Sequence, residues 1–275
     1  MNNKLEYMTI NGHDFGYDIH GDADGPAIVL LTGWCQDYRM FDGMVEGLAK
    51  THKVIRINWR GHTYPSIPVD DHGPREQAED VMCILNALNI DQFIPLSTSH
   101  GGWANIELCD MLGRERIPRS IVMDWIMVEA GKEFIQGLQD TQNPDKWISG
   151  RQSLFDHWIG VSGNQAVKNH LDCEMAAFGF DMWARSCRVI ENNYNKWGSP
   201  LKRMAALEPK CPIIHIYSQA AVEGYEEIQR EFIKENPWFD FKVIEGQTHF
   251  PTIESPKEVV KAVQEFASGK KVQQV

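Results

Sequence analysis

Hydrophobic and polar positions alternate with period two through residues 5–10 and 14–20, and Asn11-Gly12 joins the two runs. Asn-Gly between alternating segments favours a two-residue hairpin turn, whose central positions both need positive φ. An antiparallel hairpin is therefore predicted at the start. After Gly25-Pro26 the pattern changes: residues 27–31 are apolar without interruption, and 54–58, 93–97, 120–124 and 213–218 are largely of the same kind. Short apolar runs bounded by turn residues suit strands covered on both faces, as in a parallel sheet. Residues 38–48, 75–88, 102–112, 222–234 and 256–267 place apolar side chains at helical spacing, and Pro256 suits a first helical turn. This alternation predicts an α/β fold, mostly parallel, with helices on both faces of the sheet. It breaks once. From 130 to 207 no strand-like run occurs, and helix-like stretches carry Phe134, Trp147, Phe155, Trp158, Met175, Phe178, Met182, Trp183, Tyr194 and Trp197. We read 130–207 as a helical cap inserted into a core domain of 1–129 and 208–275, with the tail 269–275 frayed.

Composition narrows the range of partners. The 275 residues are 43% hydrophobic, enough for a full core, and 27 Lys and Arg stand against 38 Asp and Glu, a net charge of -11. That balance opposes binding to nucleic acid or to an anionic membrane. A small-molecule substrate is expected, with no obligate protein partner. The first residues lack a basic segment followed by an apolar one, and no apolar run is long enough to span a bilayer, so a cytoplasmic location is expected. Six cysteines are scattered without a Cys-x-x-Cys pair and are expected to be reduced packing residues.

The chemistry concentrates at three places. The run 93–97 leads into Thr98-Ser99-His100-Gly101-Gly102 and then a helix, the strand–turn–helix setting of a Gly-x-Ser-x-Gly nucleophile elbow with Ser97 in place of the first glycine. His249 follows a predicted last strand, 241–245, and precedes the last helix, where the base of such a site is expected. His215, inside an apolar run, reads as a hydrogen-bonded core residue, and His13, His20, His52, His72 and His170 have no supporting partner pattern. The acid is the unusual member. No carboxylate follows 213–218 until Glu223, whereas Asp124 closes the preceding strand and can reach the same histidine. Amides of Trp34, after strand 27–31, and of His100 are expected to converge near Ser99 as an oxyanion pocket. No His-x-x-x-His, no carboxylate pair at metal spacing and no phosphate-loop or dinucleotide glycine pattern is present, so neither metal nor cofactor is expected.

With these residues in place the chain resembles the cofactor-independent 3-hydroxy-4(1H)-quinolone 2,4-dioxygenases, a group within the α/β-hydrolase fold. The resemblance rests on residues 31–37, 58–62 (Asn-Trp-Arg-Gly-His), 97–103, 122–125, 150–158, 197–200 and 248–251. It implies ring opening by O₂ with loss of carbon monoxide to an N-acylanthranilate. In that scheme His249 takes the proton of the 3-hydroxyl, Asp124 orients it, and Ser99 is a hydrogen-bonding neighbour of the substrate. Trp158, Ile126, Phe134, Leu154, Met175 and Trp183 would face the ring. Gln36 and Thr98 stand where some members carry histidine. Within the resemblance a 2-alkyl ring, such as the Pseudomonas quinolone signal, is the expected substrate, with the unsubstituted or 2-methyl ring as an alternative. A Ser-His-Asp hydrolase and a non-catalytic binding protein are the further alternatives that the same residues leave open.

Overall fold

The computed structural model describes residues 5–62 and 69–269; the predicted frayed end at 270–275 lies outside the described residues. In chain order the strands and helices are β1 (Glu6–Ile10), β2 (His13–His20), β3 (Ala27–Leu31), α1 (Asp42–Leu48), β4 (Val54–Ile57), α2 (Pro74–Ala87), β5 (Phe93–Thr98), α3 (Gly102–Arg116) and β6 (Ser120–Met123). There follow α4 (Lys132–Gln142), α5 (Trp147–Ile159), α6 (Gln165–Asn169), α7 (Phe180–Trp197) and α8 (Pro200–Ala205). The chain ends with β7 (Ile213–Tyr217), α9 (Tyr225–Glu235), β8 (Phe239–Val243), α10 (Pro251–Glu254) and α11 (Pro256–Ala267).

Among the described residues these strands form one eight-stranded sheet in the order β1-β2-β4-β3-β5-β6-β7-β8. The hairpin is present: β1 and β2 pair antiparallel, Ile10 opposite His13, and Asn11 and Gly12 have φ of 51° and 81°. β2 pairs antiparallel with β4, and every later pairing is parallel. From β3 the chain crosses to β4 in one direction and then returns past β3 to β5 in the other. Right-handed crossovers then put α1 and α2 on opposite faces. Accordingly α1 packs against α11, and α2 against α3. The reversal also opens a crevice at the carboxyl ends of β3 and β5, where ligands bind in open α/β sheets.

The elements depart from the sequence reading mainly at their ends. The stretch 38–48 divides into a 3₁₀ turn, Tyr38–Phe41, capped by Asp37, and the short helix α1. The predicted 241–245 strand begins earlier, at Phe239, because Phe239 and Phe241 fill the core side of an edge strand. Only helical elements occur between β6 and β7, and α4 packs on both α5 and α7. The cysteine reading needs one correction. All six are free, but Cys173 is exposed, because its short helical turn presents it outward rather than to the core.

One buried ion cluster secures the antiparallel edge. Arg56 on β4 is fully buried and donates to both carboxylate oxygens of Asp18 on β2 and to Asp42 at the start of α1. Removing one partner of such a cluster leaves an uncompensated buried charge.

Candidate active site

At the end of β5 the chain turns through Ser99 with φ of 48°, and α3 begins three residues later. A non-glycine residue at positive φ is strained and persists only where its surroundings hold it. Here the surroundings are close-packed. A Cβ on Gly101 would lie 2.2 Å from the Thr32 carbonyl oxygen, and one on Gly102 would lie 2.3 Å from the Trp125 ring. Ser97, the departure from the usual glycine, is absorbed beneath the turn: Asn105 on α3 donates to its hydroxyl (2.9 Å) and to the Ile121 carbonyl (2.9 Å) and accepts from Ser120 (2.8 Å).

Ser99 and His249 meet across 150 residues of sequence, with Oγ and Nε2 2.9 Å apart. The loop after β8 is tied by Glu254, whose carboxylate accepts from the Gln247 and Thr248 amides and from the Thr248 hydroxyl. Trp158 of α5 stacks on the imidazole with centroids 5.6 Å apart and planes 15° apart, and its carbonyl accepts from the His249 amide.

Asp124 follows β6 at a φ of 40° and is buried. Its Oδ1 lies 3.7 Å from His249 Nδ1, which is ion-pair range but beyond hydrogen-bond length. The carboxylate is aimed by residues that the sequence reading missed. The Ser218 amide donates to Oδ2 at 2.9 Å and the Gln219 amide to Oδ1 at 3.3 Å, while the single proton of the Ser218 hydroxyl is shared between the Thr248 carbonyl at 2.6 Å and Oδ2 at 3.1 Å. Thus the position after β7, which bears no carboxylate, supplies donors to a carboxylate on the neighbouring strand. The absence of an acid after residues 213–218 was the available signal for this arrangement.

His100 is buried beside Ser99, and its Nδ1 accepts from the Trp125 indole at 3.2 Å, which leaves the proton of the neutral ring on Nε2. Burial and the neighbouring His249 push its pKa down to about 3, so it stays neutral. Phe134 stacks on it at 5.5 Å.

Ser99, His100 and His249 border a narrow cavity. Of the residues expected to face a ring, Phe134, Leu154, Trp158, Met175 and Trp183 line it, as does Gln36. Thr98 and Ile126 do not. Thr98 lies behind the loop that follows β3, where its Oγ1 accepts from the Gly33 amide (2.9 Å) and donates to Gln36 Oε1 (3.3 Å), because the last position of β5 turns its side chain under that loop. Ile126 instead borders an adjoining pocket that shares Phe134 and Leu154 with the cavity, and it lines a small recess with Asp124, Trp158 and His249. Trp34 is part of the cavity wall. Lining positions that the sequence reading did not single out are Leu138, Ser186, Cys187 and Ile190. Their signal was helical spacing from residues already noted: Leu138 is four after Phe134, and Ser186, Cys187 and Ile190 follow Trp183 by three, four and seven. His215 is a core residue: Nδ1 donates to Gln229 Oε1 (2.7 Å), Nε2 accepts from the Trp125 amide (3.3 Å), and burial lowers its pKa to about 4. The five histidines expected to lack partners all have them: His170 pairs with Glu174 (2.7 Å), His20 with Asp18 (3.0 Å), His52 with the Thr51 hydroxyl (2.9 Å), His13 with Arg60 (3.4 Å) and His72 with the Asp70 carbonyl (3.0 Å).

A mostly parallel sheet with reversed strand order, a strained serine at the β5–α3 turn and a histidine after the last strand define an α/β-hydrolase-fold protein. The model of the alpha/beta hydrolase fold family matches residues 26–103. A 2-heptyl-3-hydroxy-4(1H)-quinolone dioxygenase of Mycobacteroides abscessus is 39% identical over 264 residues, 96% of this chain and 98% of that protein. A 1H-3-hydroxy-4-oxoquinoline 2,4-dioxygenase of Pseudomonas putida is 41% identical over 262 residues, 95% and 99% of the two chains. Among solved structures, AqdC in complex with its product, described as the basis for recognition and ring cleavage of the Pseudomonas quinolone signal, superposes with a TM-score of 0.93. Its identity is 39%, over 96% of this chain and all of that one. The chain belongs to the 3-hydroxy-4-quinolone dioxygenase family and is an oxidoreductase of the α/β-hydrolase fold.

Proposed function

We propose that the protein opens the ring of a 2-alkyl-3-hydroxy-4(1H)-quinolone with O₂, releasing carbon monoxide and an N-acylanthranilate. The observation that carries this reading is a histidine after β8 within ion-pair range of an acid at the end of β6, set at a cavity walled by flat aromatic side chains. His249 Nε2 accepts the proton of the 3-hydroxyl, and Ser99 donates a hydrogen bond to the oxygen left behind. Asp124, already aimed by Ser218 and Gln219, keeps the other ring proton on Nδ1 and balances the imidazolium. The electron-rich anion reacts with O₂ at C2, and the peroxide attacks the C4 carbonyl. The oxyanion formed there is received by the Trp34 and His100 amides. Collapse expels CO and leaves a carboxylate, and the proton held by His249 passes to solvent. Charge and atoms balance without a further reductant.

Residues 130–207 act as the cap over this cavity, and the adjoining pocket lined by Ile126, Ala221 and Val222 has room for a 2-alkyl chain. The Pseudomonas putida relative, named for the ring without that chain, favours the unsubstituted compound as a second reading. Incubation with 2-heptyl-3-hydroxy- and 3-hydroxy-4(1H)-quinolone under air, with CO and the acylanthranilate quantified, decides between them. Higher kcat/KM for the heptyl compound is expected, and consumption that continues without O₂ would sink the dioxygenase reading. The intact Ser99–His249 contact also fits a serine hydrolase, which Ser99→Ala separates as described below.

A further inference from the structure

The segment Asn58-Trp59-Arg60-Gly61-His62 touches no part of the proposed chemistry, yet it converges on the loop that carries Trp34. The Trp59 indole donates to the Thr32 carbonyl at 2.8 Å. Arg60 makes a two-point ion pair with Asp80 on α2, which anchors the segment. His62 presents an edge to the Trp34 ring, with centroids 5.8 Å apart and planes 69° apart, and packs against Phe178 on its other side. From a separate stretch of chain, His72 stacks flat on Trp34, with centroids 5.4 Å apart and planes 12° apart.

Both imidazoles are buried, and each has Nδ1 at a backbone carbonyl, of Arg60 at 3.1 Å and of Asp70 at 3.0 Å. A carbonyl only accepts, so each proton sits on Nδ1 and each Nε2 is a bare acceptor. Among the described residues, His62 Nε2, His72 Nε2 and Trp34 Nε1 have no hydrogen-bond partner. Burying unsatisfied polar atoms is unfavourable, and three together call for a reason other than packing. The loop before His72 is also tied to α7: Arg185 donates to the Val69 carbonyl and to Asp71, which Arg188 joins. Residues of the same helix, Trp183, Ser186, Cys187 and Ile190, border the cavity.

We infer that His72 and His62 are positioning residues that clamp the Trp34 indole and thereby fix the Trp34 amide as an oxyanion donor, with Arg185 tying the clamp to the cavity wall. The inference rests on the oxyanion role proposed above. Both rings are held neutral by burial, His62 at a pKa of about 3 and His72 at about 4, with Arg185 lowering each and Asp37 and Asp71 opposing. The clamp is therefore uncharged across the neutral range, and it keeps a cation out of the wall that receives the developing negative charge.

The test is a split between kcat and KM in the full chain. His72→Ala removes the stacked ring and is expected to lower kcat about tenfold, the effect of a donor displaced by a fraction of an ångström, while KM for the quinolone stays within about twofold. His72→Phe restores a flat ring and should recover most of kcat. Arg185→Gln, outside the core, should lower kcat in the same direction with KM unchanged. A wild-type kcat in His72→Ala, a loss confined to KM, or an Arg185→Gln enzyme indistinguishable from wild type would each overturn the clamp. Failure of the wild-type protein to consume the quinolone would instead overturn the proposed reaction, so the two failures are distinct.

Discussion

At the residue scale, the division of labour among Ser99, Asp124 and His249 decides the chemistry. The three are brought together from the ends of β5 and β6 and the loop after β8. If His249 acts on the substrate, His249→Ala should lower kcat by three or more orders of magnitude, on the order of the loss when a general base is removed. Asp124→Asn keeps the shape but presents a donor as well as an acceptor to Nδ1, and about a hundredfold loss is expected. Ser99→Ala is the discriminating change. A serine hydrolase would be silenced, whereas the proposed dioxygenase should keep its rate within about a hundredfold. Quinolone consumption followed in air-saturated buffer reads all three variants. Much of this site was legible in the sequence, because a turn flanked by glycines and a histidine ahead of the last helix are local signals. Ser218 was not, since its role exists only through Asp124, 94 residues away.

At the element scale, the site depends on how closely α3 approaches its neighbours. The elbow glycines leave no room for even a methyl group: Gly101 faces the Thr32 carbonyl, and Gly102 faces the Trp125 ring. Gly102→Ala should destabilise the protein by about 2 kcal/mol or more, since neither an indole buried at 2% exposure nor a helix start can yield cheaply. Urea unfolding would measure it, and an unchanged midpoint would contradict the close packing described. Strand identity was readable from the apolar runs, but helix limits were not. The 38–48 segment is helical in pattern throughout, yet Asp37 accepts from the Arg39 amide and starts a 3₁₀ turn before α1 begins. Such capping contacts compete with helical hydrogen bonds and leave only a faint mark in hydrophobic periodicity.

At the scale of the whole molecule, four buried histidines set an acid limit. Burial holds His62 and His100 at pKa values of about 3 and His72 and His215 at about 4, all below the ordinary value near 6.5. Between those values the unfolded chain binds protons that the folded chain refuses. Stability from these groups is therefore complete above about pH 6.5 and is lost as pH falls toward 4 and 3, with a slope of up to about 1.4 kcal/mol per pH unit for each histidine inside its window. Urea midpoints should be level from pH 7.5 to about 6.5 and fall from there to pH 4.5, and a flat profile over the whole range would show that these rings are not kept neutral. Among the described residues no helix is long and apolar enough to cross a membrane.

The sequence by itself determined the element types, the antiparallel opening, the run of parallel strands and the identities of Ser99, Asp124 and His249, because each is written in local periodicity, turn chemistry or chain order. Tertiary structure alone decided what surrounds them. The order reversal at β3 and β5 placed the crevice, the end of β7 aimed the carboxylate of its neighbour, and the loop after β3 acquired His62 and His72 against Trp34. It also turned Thr98 away from the cavity wall and set Ile126 in a recess beside Asp124, Trp158 and His249. These are relations between side chains remote in sequence, fixed by packing, and a one-dimensional pattern carries no distance between them.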